Sequence, residues 1–180
     1  MTIQKKFLPL QPFVIAINGL KQGSTRFEWR ADGKFFGNFE NSDILDADLS
    51  VVAQVEKSSR YFGIDCSVRG KVQTVCDRCL ENLWMEIGTE FRLSVKFGDS
   101  AESADTDDRE IVMLPEGEAE LGLSQFIYDY VCTSLPMRRV HPDGECNPDA
   151  LKYLSSEEKA VEAAPAAVQS PFAALKDILK

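Results

Sequence analysis

The chain has 180 residues and a mass of 20.1 kDa, room for one domain with an appended tail and too little for two large ones. Hydrophobic residues make up 44% and aromatic residues 9%, which excludes a disordered chain, and no apolar run approaches the ~20 residues of a membrane span. A net charge of −9 argues against an indiscriminate nucleic-acid binder, yet eight acids against the single Arg109 between Ala101 and Glu120 hold −7 of it, so the remainder is nearly neutral.

In chain order, Met1 to Pro9 contains no apolar stretch of signal-peptide length, and the protein is read as cytoplasmic with no membrane partner. Phe13 to Ile17 reads as a strand ended by Asn18-Gly19, and Thr25 to Trp29 as a second before an Asp32-Gly33 turn. Leu49 to Val55 is β-rich through Val51, Val52 and Val55. Phe62, Ile64, Cys66 and Val68 alternate with polar residues as in a half-buried strand, and Gly70 is expected to mark a break or bulge. The clearest pattern runs from Leu83 to Phe97, where Leu83, Met85, Ile87, Phe91, Leu93, Val95 and Phe97 share one parity. With Val72 to Val75 before it, this predicts an antiparallel hairpin with Cys76-Asp77-Arg78-Cys79 at the tip.

Asp99 to Asp108 reads as a mobile, solvated acidic loop, with a magnesium site at Asp105, Asp107 and Asp108 as the alternative, and Ile111 to Leu114 as a short strand. Leu123, Phe126, Ile127, Tyr130 and Val131 recur at helical spacing, so a helix buried on most sides is expected to stop at Pro136. Residues 155–169 read as a flexible linker. Ser170-Pro171 then opens a short helix over 170–180 whose stripe of Phe172, Leu175, Ile178 and Leu179 needs a docking partner.

Five cysteines in a chain without an export signal point to reduced thiols or metal ligands. Cys76-x2-Cys79 on a turn is the arrangement of a zinc knuckle, which presents two thiolates to one tetrahedral ion. His141 and Cys146 are the expected second pair, because the Pro142-Asp143-Gly144 turn between them folds Cys146 back beside His141. Cys66 and Cys132 are assigned to core packing, with Cys132 as a reserve ligand. A redox role for Cys76 and Cys79 asks for a cysteine at a helix N-terminus, whereas a long strand follows here. His141 is the single histidine, and no HExxH, GxSxG or Gly-rich phosphate loop accompanies it.

Four pieces of this chain together resemble the YceD family, the large ribosomal RNA subunit accumulation proteins: the strand ending in Asn18-Gly19-Leu20, the block Val75 to Leu80, the block from Leu135-Pro136 to His141 and Cys146, and the terminal Pro171-Phe172-Ala173-Ala174-Leu175. The resemblance implies a bacterial cytoplasmic protein that supports accumulation or processing of large-subunit ribosomal RNA, without an established enzymatic activity. It also implies that the position of His141 accepts Cys or His, that Cys132 is not required, and that the metal is structural.

The expected fold is α+β: an antiparallel β-rich core with a zinc-knuckle hairpin and one packed helix over residues 1–154, tethered to the short C-terminal helix. The expected function is a non-enzymatic ribosome-biogenesis factor with one structural zinc ion, whose partner is large-subunit ribosomal RNA, its precursor, or a ribosomal or RNA-processing protein. A thiol oxidoreductase using Cys76 and Cys79 and a metal-dependent nuclease using the acidic segment are the alternatives. Arg78, Arg138 and Arg139 are expected to meet at the closed metal site as an RNA-contact patch that Arg69 and Lys71 extend, unless the arginines only neutralise the thiolates; the Phe172 and Leu175 stripe is the candidate for a protein partner.

Overall fold

A computed structural model describes residues 13–40, 42–58, 62–98 and 109–154. The acidic segment 99–108, the linker 155–169 and the terminal helix over 170–180 lie outside the described residues. The fold is α+β with a mostly antiparallel sheet. Strands β2 (Gly23–Asp32), β3 (Asp46–Lys57), β4 (Phe62–Val75) and β5 (Asn82–Phe97) form a meander, and β6 (Glu110–Leu114) joins β5 in parallel at the edge.

Strict alternation fixes which face of this sheet is buried. Leu49, Val51, Ala53 and Val55 of β3 are buried, as are Ile64, Cys66, Val68 and Val72 of β4 and Phe91, Leu93 and Val95 of β5. The second layer consists of helix α1 (Gly33–Phe36), helix α2 (Ser124–Ser134) and a two-stranded ribbon of β1 (Val14–Ala16) with β7 (Glu120–Gly122). Phe13, Ile15, Phe35, Phe36, Leu121, Leu123, Ile127 and Val131 from that layer complete the same buried cluster. The opposite face of the sheet carries exposed cross-strand ion pairs, Arg30 with Asp48 and Arg69 with Glu90 among them.

Two expectations need correction. Gly70 does not interrupt its strand: the ladder runs unbroken through Leu49↔Gly70 and Gly70↔Ile87. Glycine is needed there because φ is +149° and a methyl group would overlap the Asp48 carbonyl oxygen. Asp32-Gly33 is not a simple turn either; the Asp32 carboxylate accepts the Phe35 N–H and caps α1. Helix α2 ends at Ser134, with Leu135 as its C-cap ahead of Pro136, as its sequence predicts. Its outer residues Asp129 and Thr133 are exposed, while Cys132 is half-buried. Among the described residues no helix is long and apolar enough to cross a membrane.

Candidate metal centre

The β4–β5 hairpin closes over six residues, 76–81, because the Cys76 N–H donates to the Glu81 carbonyl at 2.8 Å and the Leu80 N–H donates to the Cys76 carbonyl at 2.9 Å. Leu80 completes the turn with φ +62°, a left-handed conformation that is costly for leucine, and its side chain is 77% exposed. The second turn follows α2. The Glu145 N–H donates to the Pro142 carbonyl at 3.1 Å, with Gly144 at φ +88°, and this folds Cys146 back beside His141. Asn147 and Pro148 then start a helical segment over 148–154, where the Asn147 side-chain oxygen accepts the Asp149 N–H at 2.9 Å. Ala150 and Leu151 of that segment pack with Met85 and Val140 against the buried Cys76, Cys79, Leu83 and Cys146.

The two turns bring Cys76, Cys79, His141 and Cys146 together, with all four ligand atoms within 4.8 Å of one another. Cys76 Sγ lies 3.9 Å from Cys146 Sγ, Cys79 Sγ lies 3.4 Å from His141 Nδ1, and Cys146 Sγ lies 3.9 Å from the same nitrogen. A tetrahedral ion with M–S near 2.3 Å and M–N near 2.0–2.1 Å sets S···S at about 3.8 Å and S···N at about 3.6 Å, so the cluster can hold one such ion. The His141 Nε2–H donates to the Asn82 carbonyl at 3.2 Å, which leaves Nδ1 free as a ligand and orients the ring. All five cysteines are free thiols, so no disulfide competes for these sulfurs.

The turns also shape the thiols. Burial pushes the Cys76 thiol up, but backbone N–H groups of Cys79, Arg78 and His141 together outweigh it and bring the thiol down to about 6. The Glu81 N–H lowers Cys79 against its burial, with help from the Asn147 N–H. The second turn therefore donates amides to both sulfurs of the first, from His141 to Cys76 and from Asn147 to Cys79. Burial holds Cys146 up, as do the neighbouring thiols of Cys76 and Cys79. The Cys76 sulfur raises His141, although burial opposes this. A depressed thiol is also what a redox cysteine requires, yet Cys76 is fully buried and presents no sulfur to a substrate disulfide.

The basic residues separate into different environments. The Arg139 guanidinium bridges Asp43 at 3.1 Å and Asp77 at 3.6 Å, with its side chain 23% exposed, so it neutralises acids at the site. Arg138 is exposed and Arg78 half-buried. Lys71 and Arg69 lie on the outer face of β4, roughly 16 and 23 Å from Cys76 by strand rise, paired with Glu86 and Glu90. They do not join the three arginines. Cys66 is buried in the sheet core, which pushes its thiol up to about 12, and Cys132 sits against Tyr128 outside the cluster. The sequence reading did not identify Asp77, Glu81, Asn82 or Asn147, which support the ligands through hydrogen bonds across the two turns.

The family model described as "Large ribosomal RNA subunit accumulation protein YceD" matches residues 64–179, well over half of the chain, and the matched stretch contains both turns and all four ligand residues. No curated protein and no solved structure matches the chain.

Proposed function

The chain belongs to the YceD family, and from that premise we propose that it is a non-enzymatic, cytoplasmic ribosome-biogenesis factor. It supports accumulation of large-subunit ribosomal RNA by binding that RNA, its precursor, or a protein assembled on it. Its Cys3His centre holds one zinc ion, which serves as a structural crosslink. The observation that carries this reading is that the family match encloses the complete ligand cluster.

The donor set favours zinc. Three sulfurs and one imidazole nitrogen with no carboxylate suit a borderline-soft tetrahedral ion and not magnesium or calcium. A structural role is supported by the burial of Cys76, Cys79 and Cys146, at 0%, 6% and 4% exposure, because a catalytic zinc keeps an open position for water. The single histidine has one nitrogen directed at the cluster and the other on the Asn82 carbonyl, so it is not poised as a general base.

The test is to crosslink the full-length protein in growing cells, sequence the attached RNA, and compare large- and small-subunit ribosomal RNA with and without the gene. The expected result is enrichment of large-subunit precursor reads and a selective fall in large-subunit RNA. A fall without RNA crosslinks assigns a protein as the direct partner. Unchanged RNA levels overturn the function. Metal analysis of the purified chain is expected to give one zinc per chain.

A further inference from the structure

The two ligand-bearing turns are joined by more than the cluster itself. On one side, the Asp77 N–H donates to the Arg139 carbonyl at 2.7 Å, and the Arg139 N–H donates back to the Asp77 carboxylate at 2.6 Å. The Arg139 guanidinium closes over the same carboxylate and extends to Asp43 in the segment after α1. On the other side, the Asn147 side-chain amide donates to the Glu81 carboxylate at 2.6 Å. The same Asn147 starts the helical segment over 148–154, and the Glu81 carbonyl accepts the Cys76 N–H. Asp77 lies between Cys76 and Cys79, Arg139 lies two residues before His141, and Asn147 directly follows Cys146. Each ligand pair is thus bracketed by contacts that involve no metal.

We propose that Asp77 with Arg139, and Glu81 with Asn147, are positioning residues of the metal centre: a two-sided latch that holds the ligand turns in register before the ion arrives. The proposal rests on the reading of the cluster as a metal centre. A latch of this kind lowers the entropy lost when four ligands from distant parts of the chain converge on one ion, so its removal weakens metal binding without removing a ligand. It also assigns Arg139 to the site's architecture and leaves Arg138 as its exposed neighbour.

The experiment measures cobalt and zinc affinity of the full-length chain by competition with a chromophoric chelator, beside the melting temperature of the chelated protein. Asp77→Ala is expected to weaken metal binding by about 10- to 100-fold, the usual effect of removing an outer-shell partner. Asp77→Asn, whose amide oxygen still accepts the Arg139 N–H, recovers most of that loss. Arg139→Ala and Asp77→Ala combined cost less than the product of their separate effects, because both break one contact. Glu81→Ala weakens binding independently. Arg69→Ala, which breaks an ion pair on the far part of the sheet face, leaves metal affinity unchanged.

Should Asp77→Ala fail to fold, Arg139→Lys and Glu81→Ala still decide the matter, since lysine cannot span Asp43 and Asp77 together and alanine cannot accept the Asn147 amide, so both must weaken binding. Variants that melt lower after chelation yet bind metal as tightly as the parent overturn the latch and leave a merely structural role. A parent chain that takes up no cobalt or zinc overturns the metal centre itself.

Discussion

Among the described residues, the core under the sheet gathers twenty-four buried side chains, drawn from every strand of the meander, the β1–β7 ribbon and both helices. The cluster at the hairpin tip has four, and three of them are cysteine; Leu83 is its one buried aliphatic, with Met85, Val140, Ala150 and Leu151 half-buried around it. The first region is held chiefly by apolar burial. The second is too small for that, and its ends come from chain segments with 61 residues between Cys79 and His141. The cluster there can hold a metal ion, and under the proposed function that ion and the polar clamps take over where the apolar core runs out.

The sharpest way to break this comparison is to remove a ligand. Structural zinc is worth roughly 10 to 16 kcal/mol in finger peptides at pH 7, so Cys76→Ser is expected to lose stoichiometric metal and to strip hydrogen-exchange protection from residues 136–154. The β2–β5 amides should keep theirs, and equal loss in the sheet would show that the two regions are one cooperative unit. Cutting into the large core has the converse signature. Ile64 is fully buried, and Ile64→Ala should cost about 2–5 kcal/mol in denaturant unfolding while zinc content stays unchanged.

Gly70→Ala should destabilise by about 1–3 kcal/mol through backbone strain and collision with the Asp48 carbonyl, again without loss of metal. Cys66 separates the regions by pH. Its folded-state value of about 12 lies above the ordinary 9.0. The stability it contributes is therefore full below pH 9 and is lost as pH rises toward 12, at up to about 1.4 kcal/mol per unit. Cys66→Val should remove that component of the alkaline loss, read by urea titrations from pH 8 to 11, and keep the zinc. The smallest effect is expected from Arg69→Ala, whose exposed pair with Glu90 is worth about 0–1 kcal/mol and falls with added salt.

The long strands were legible because period-2 alternation persists over twelve to sixteen residues, and the ligand set because two short turns each carry two donors. What escaped the sequence was short or distant. Strand β7 has three residues, and nothing in Glu120–Gly122 announces β1, which does read as a strand, as its partner more than a hundred residues earlier. The parallel placement of β6 depends on the sheet edge and not on its own five residues. The pairing of Arg139 with Asp43 and Asp77 was not legible because those partners lie 96 and 62 residues away. The helical segment over 148–154 was missed although Asn147-Pro148 is the same start signal as Ser170-Pro171. Gly70 was misjudged because an isolated strand glycine signals either a bulge or a close backbone approach, and only the neighbouring strand decides which.

The order of the ligands along the chain has a consequence during synthesis. Hairpin contacts are local, so the β4–β5 tip can form with Cys76 and Cys79 in place as soon as β5 has left the ribosome. Cys146 follows Cys79 by 67 residues, roughly 3 to 13 s of elongation at 5–20 residues per second. Throughout that interval the nascent chain presents a two-thiol half-site, and its ion cannot be enclosed until the final turn emerges. If the proposed zinc centre holds, metal loading is a late event in the protein's production, and a pulse-labelled chain chased into limiting zinc should accumulate as a species whose sheet is formed and whose tip is open.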